Sequence, residues 1–194
     1  MTQQHLILQT QPRPNRLLVA SIDVQRRRRR LNSHYEISFK VPMTTDDYEE
    51  MIIPEGHVQD ERGQFYVVQT RARDRSNKVI NTQIICTHIM FKIIDLKMPY
   101  SDYIYEAYGI HISVLLDKIS AATDGVYTFV VHNTFDLRDM KDSGATIVLA
   151  ALQHTVNLCV CEIKPGNFII HLYNRIGSDN GFEYRLKRNV GRCF

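Results

Sequence analysis

Five consecutive arginines, Arg26, Arg27, Arg28, Arg29 and Arg30, are the residues of this chain best equipped to recognise a partner by charge. A guanidinium group stays charged at any physiological pH and meets phosphate or carboxylate through paired N–H donors. Such a run suits nucleic acid, with release of counterions, or an acidic protein face. No aromatic residue is interleaved with the arginines, so a base-stacking platform is missing. A solvated hairpin tip or an inter-subunit contact is therefore the plainer reading. The charge is local. Residues 1–40 carry eight Lys/Arg against two acids, or +6, and the remaining 16 Lys/Arg against 19 acids give −3, for a total of +3.

Other chemistry-bearing residues are scattered. The eight histidines form no HxxxH pair with a carboxylate, and Cys86, Cys159, Cys161 and Cys193 lack zinc-site spacing, so no metal ligands are expected. Cys159 and Cys161 are spaced for one face of a strand, where buried thiols pack as small hydrophobes. A G-x-S-x-G elbow and a GxxxxGK phosphate loop are both missing, and Asp142-Ser143-Gly144 reads as a helix start. The acidic groups Asp46-Asp47, Glu49-Glu50 and Asp60-Glu61 read as solvated turns, whose carboxyls lack the desolvation that acid–base work requires. The expectation is a chain with no catalytic residue and no cofactor.

The elements that must position these residues begin with strands. Leu17 to Val24 is rich in β-branched residues. Tyr35, Ile37, Phe39 and Val41 alternate with His34, Glu36, Ser38 and Lys40, so the arginines with Leu31-Asn32-Ser33 read as the connection of a hairpin that Pro42 terminates. A second hairpin joins His57 to Asp60 with Gln64 to Gln69 through Glu61-Arg62-Gly63, and Asn77 turns the chain before Val79 to Cys86. Five or six short strands in about 95 residues predict an antiparallel barrel or sandwich over residues 1–96.

From Pro99 the pattern changes. Ile112, Leu115, Leu116 and Ile119 recur at helical spacing, and a second helix is expected from Ser143 to His154. Tyr127 to Val131, Leu158 to Ile163 and Phe168 to Tyr173 read as strands, the last two joined by a turn at Lys164-Pro165-Gly166-Asn167. Residues 97–175 thus read as a small α+β domain, and residues 176–194, with a strand at Phe182 to Leu186, as the start of a second barrel. The class is β-rich α+β.

Length and composition agree. With 194 residues, 44% apolar, the chain can bury a proper core. No run of about 18 apolar residues spans a bilayer, the N-terminus lacks the order of a signal peptide, and the cysteines are too few and irregular for a disulfide framework, so synthesis in a reducing cytoplasm is expected.

Several segments, in order, resemble the N-terminal region of phage tail-tip hub proteins, the group that includes tail-associated lysins, prophage endopeptidase tail proteins and the central hub of contractile baseplates. His34-Tyr35-Glu36-Ile37-Ser38-Phe39 is similar to the family's "Y-E-L-S-F" strand, and Gly63-Gln64-Phe65-Tyr66-Val67-Val68 to its "G-x-x-Y-x-I" strand. Ile84-Ile85-Cys86-Thr87-His88 leading to Ile94-Asp95-Leu96 resembles a strand that ends in His and runs into "L-x-D", here with the order Ile-Asp-Leu. The stretch Arg175 to Val190 resembles "G-x-D-x-G … Y-x-x-N-L" and is the most specific block.

The resemblance implies a ring-forming fold in which two related β-barrels from each of three subunits make a pseudo-sixfold surface. It implies a homotrimer in the virion, at the tail tip or baseplate, made in the host bacterial cytoplasm. Its partners would be the distal tail protein ring, the tape-measure protein and downstream tip or fibre proteins. Relatives continue into the rest of the second barrel and often a variable domain, whereas this sequence stops at Phe194; the hydrolase activity of some relatives is implied to reside in that later part. Arg26 to Arg30 would be an interface or lumen element. Two alternatives stay open: a small OB-like barrel that binds single-stranded nucleic acid through the arginines, and the truncated N-terminus of a cell-wall hydrolase.

Overall fold

The computed structural model describes residues 6–9, 16–18, 22–30, 34–42, 52–76, 79–143 and 146–176, with side chains for 34–42, 52–73, 80–143 and 146–176. The expected strand at Phe182 to Leu186 lies outside the described residues, as do Asp46-Asp47, Glu49-Glu50 and Cys193.

Seven strands form one antiparallel sheet: β1 (Leu6–Gln9), β2 (Arg16–Leu18), β3 (Ile22–Arg30), β4 (His34–Pro42), β5 (His57–Gln59), β6 (Phe65–Ser76) and β7 (Val79–His88). Their order is β2-β1-β5-β6-β7-β4-β3, and the sheet curls into a half-barrel. The alternation of β4 sets the inner face. Ile37, Phe39 and Val41 are buried and stand opposite Cys86, Ile84 and Thr82 of β7. Ile52, Val58, Tyr66 and Val68 complete this core. A bulge between Val68 and Thr70 resets β6, so that Arg71 stands opposite buried Ile84. The Arg71 guanidinium accordingly reaches over the core edge and donates to the Ile52 carbonyl at 2.7 Å.

The second half packs two helices, α1 (Ile112–Ala121) and α2 (Val148–Cys159), with a 3-10 helix (Ile89–Asp95) and a three-stranded sheet. That sheet orders β11 (Glu162–Gly166), β12 (Ile169–Tyr173) and β9 (Thr128–Val131), with β9 parallel to β12. A separate two-stranded ribbon pairs β8 (Ile104–Ile110) with β10 (Arg138–Ser143). The helical spacing of Ile112, Leu115, Leu116 and Ile119 is borne out, since all four are buried. His111 caps α1, its Nδ1 accepting from the Ser113 N–H.

Two local expectations are corrected. Ser143 ends β10 instead of capping a helix, and α2 starts five residues later and runs on to Cys159. Its entry is held by tertiary hydrogen bonds: the Val148 N–H donates to the Leu96 carbonyl, and the Met98 N–H to the Thr146 carbonyl. The segment from Leu158 is therefore helical first, and the strand begins only at Glu162. Between them Val160 adopts φ 50°, and the Cys161 N–H closes the helix on the Val156 carbonyl. The hairpin after it forms as expected, but its turn falls two residues on, at Asn167-Phe168, because Pro165 and Gly166 pair with Ile170 and Ile169.

Candidate functional site

Arg26 to Arg30 occupy the second half of a strand, which corrects their assignment to a hairpin connection. Arg26 stands opposite Ile37, Arg27 opposite Glu36 and Arg30 opposite His34, with an irregularity between Arg27 and Arg30. Ladder bonds are made by the backbone, so pairing with the strongly patterned β4 carries the strand through five like charges. Among the described residues β3 ends the sheet order, so within them the run lies on an edge strand of the half-barrel. An edge is where a sheet accepts another chain.

Where the sheet meets the helical half, β7 delivers His88 into a buried polar cluster. His88 is 1% exposed, and its Nδ1 accepts from the Met90 N–H at 3.2 Å, capping the 3-10 helix. That bond places the proton on Nε2, which donates to Gln64 Oε1 at 3.1 Å. Tyr35 stacks on the imidazole at 4.6 Å, and Tyr66 meets both rings edge-on. Burial pushes the Tyr66 hydroxyl well above its ordinary range. Asp60 is 3% exposed, so it is no solvated turn residue. Its Oδ1 accepts from the Arg62 and Gln64 N–H groups, both at 2.9 Å, and its Oδ2 from the Tyr66 hydroxyl at 3.3 Å. This carboxylate closes the β5–β6 turn.

The same turn is clasped by the distant hairpin. Asn167 Oδ1 accepts from the Phe65 N–H at 2.7 Å, and its Nδ2 donates to the Gly63 carbonyl at 2.9 Å. Within the second half, the Tyr127 hydroxyl donates to the Ile89 carbonyl of the 3-10 helix at 2.9 Å.

The thiols sit in the cores. Cys86, Cys159 and Cys161 are buried, and burial raises all three thiols, Cys161 to about 12. Cys159 ends a helix and Cys161 follows the left-handed Val160, so they do not share a strand face, yet both reach the same core. Ser143 Oγ lies 3.5 Å from His154 Nδ1 at an exposed position. Among the described contacts, no third group orients that imidazole.

Three surface features were not anticipated from the sequence. The β8–β10 ribbon, itself not expected, exposes Tyr105 and Tyr108 at 76% and 69%, beside Leu137 and the stacked pair Tyr100 and Tyr103. Lys141 pairs with Glu106, which Tyr108 also hydrogen-bonds, and these contacts hold the Glu106 carboxyl below its usual range. A cleft beside the 3-10 helix is bounded by Gln69, Thr87, Phe91 and Ile94. Finally, His132 and His171 meet across β9 and β12, His132 Nε2 lying 2.9 Å from His171 Nδ1. Their separation of 39 positions gave no local signal; only strand pairing brings them together. Among the described residues, no group of three or more His, Cys, Asp or Glu is gathered as for a metal ion. Likewise, no described helix is long and apolar enough to cross a membrane.

No protein-family model matches the chain, and no curated protein matches it in sequence. Solved structures do. The prophage tail protein gp18 from Listeria monocytogenes aligns over 88% of this chain and 50% of its own, with a TM-score of 0.71 and 16% identity. The 43 kDa tail protein of prophage MuSo2 from Shewanella oneidensis aligns over 93% of this chain and 58% of its own, with a TM-score of 0.60 and 8% identity. A tail protein from Neisseria meningitidis aligns over 98% of this chain and 52% of its own, with a TM-score of 0.51 and 11% identity. The chain spans about half the length of these structures, and over nearly all of its own length it has the fold of phage and prophage tail proteins.

Proposed function

We propose that this chain is a structural hub of a phage or phage-derived tail tip or baseplate, a non-catalytic virion component that assembles as a trimeric ring. In this reading the ring joins the tail tube and distal tail protein to the tip, with the tape-measure protein above it and tip or fibre proteins below. The observation that carries the reading is the fold likeness to three tail proteins from three bacteria, which extends over at least 88% of the chain. It agrees with the order of the hub-like sequence segments.

The open half-barrel fits a ring physically. A subunit in a closed ring needs two different surfaces that meet head to tail around the axis, and β2 and β3, which end the sheet among the described residues, would offer them. Arg26 to Arg30 on β3 would give one edge a strong positive sign, which selects an acidic neighbour and steers its approach.

The test is the mass of the purified full chain by light scattering, alone and with a distal tail ring protein. A trimer, formed alone or on addition of the ring, is expected. A strict monomer that ignores the ring would overturn the proposal, and if it bound single-stranded DNA with steep loss in salt, the arginine strand would be a nucleic-acid site.

A further inference from the structure

We propose that His132 and His171 form a two-histidine binding site for a divalent transition-metal ion, of the Cu2+, Ni2+ or Zn2+ type, on the outer face of the three-stranded sheet. The two nitrogens already face each other at 2.9 Å. A metal–imidazole bond is about 2.0–2.1 Å, so two such bonds at a tetrahedral angle separate the nitrogens by about 3.3–3.4 Å. Opening the pair by about 0.5 Å, while the shared proton leaves for solvent and the ring that carried it is reprotonated at its other nitrogen, converts the hydrogen bond into a chelate of two neutral imidazoles.

The backbone fixes both ligands. The His132 N–H donates to the Leu172 carbonyl at 3.0 Å, and His171 is held in register between Lys164 of β11 and Val130 of β9. Tyr173 stacks on the His132 ring at 4.3 Å and 2°, which sets the ring plane while leaving it free to slide by the required distance. On the other side, an added Cβ at Gly166 would lie 3.7 Å from His171 Nε2, so the ring rests against the backbone there. Such prior ordering of ligands reduces the entropy lost on binding.

Among the described residues no acid, thiol or further imidazole joins the pair, so water occupies the remaining positions. Neutral imidazole suits these ions better than Mg2+ or Ca2+, and Cu2+ should bind most tightly. Lys164 opposes the bound charge from across the strand pair. The site stands or falls independently of assembly into a tail.

Isothermal titration of the full chain with Cu2+, paired with electron paramagnetic resonance of the one-equivalent complex, tests the site. The native chain is expected to show a strongest site whose spectrum carries two nitrogen ligands. His132→Ala, an exposed substitution, should weaken that site at least tenfold and reduce the nitrogen count, and Lys164→Gln should tighten it. Identical titrations and spectra for the native chain and His132→Ala would overturn the proposal, as would a native spectrum with fewer than two nitrogens.

Discussion

Replacing the half-buried Asn167 should loosen the hold of the hairpin turn on the half-barrel. The side chain makes two hydrogen bonds to backbone groups more than 100 residues away, at 2.7 and 2.9 Å, and its own φ of 58° is one that asparagine and glycine tolerate. Asn167→Gly keeps the backbone conformation and removes both bonds. With the Phe65 N–H and Gly63 carbonyl left partly shielded from water, the expected loss is about 1–3 kcal/mol. Asn167→Ala should lose about 1 kcal/mol more, because alanine resists positive φ. Urea unfolding gives the global value, and hydrogen exchange at the Phe65 amide gives the local one. A 2 kcal/mol loss corresponds to about 30-fold faster exchange where that amide opens locally. Unfolding of Asn167→Gly within about 0.5 kcal/mol of the native chain, together with unchanged exchange at Phe65, would refute the clasp, since surface substitutions away from such features fall in that range.

Two further outcomes follow from local strain and burial. Val160, a β-branched residue at φ 50° with 73% exposure, should be improved by Val160→Gly, raising stability by about 0.5–1.5 kcal/mol in thermal unfolding; a lower melting temperature would show that the left-handed turn carries no strain. His57 has its pKa lowered by burial and then by Lys92, against the opposing pull of Glu55. The unfolded chain therefore takes up this proton first as pH falls through about 6.5, so the contribution of His57 is full above that value and declines below it. The stability advantage of the native chain over His57→Gln should shrink between pH 7.5 and pH 5.5, and an advantage that grows on acidification would contradict the assignment.

Patterns of period two and 3.6 were enough to locate β4, the β5–β6 turn, β7 and α1, because each element buries a face written in consecutive residues. Ile37, Phe39 and Val41 are buried as their alternation requires, and so are the four apolar residues of α1. The arginine run was legible as a charge feature, although its strand conformation was not, since β3 takes its register from β4. The start of α2 was misplaced for a related reason. Its first N–H, that of Val148, is satisfied by the Leu96 carbonyl, some fifty residues earlier, where the sequence offered a capping serine nearby.

What the sequence by itself determined is the set of elements whose burial pattern repeats locally, and with it the β-rich α+β class. Only the tertiary structure decided which distant groups meet. Asn167 looked like part of a simple turn until it reached Phe65, and His132 and His171 looked unrelated until β9 lay parallel to β12. The physical reason is common to both. A side chain's partners are set by strand pairing and packing across tens of residues, and no local periodicity encodes that distance.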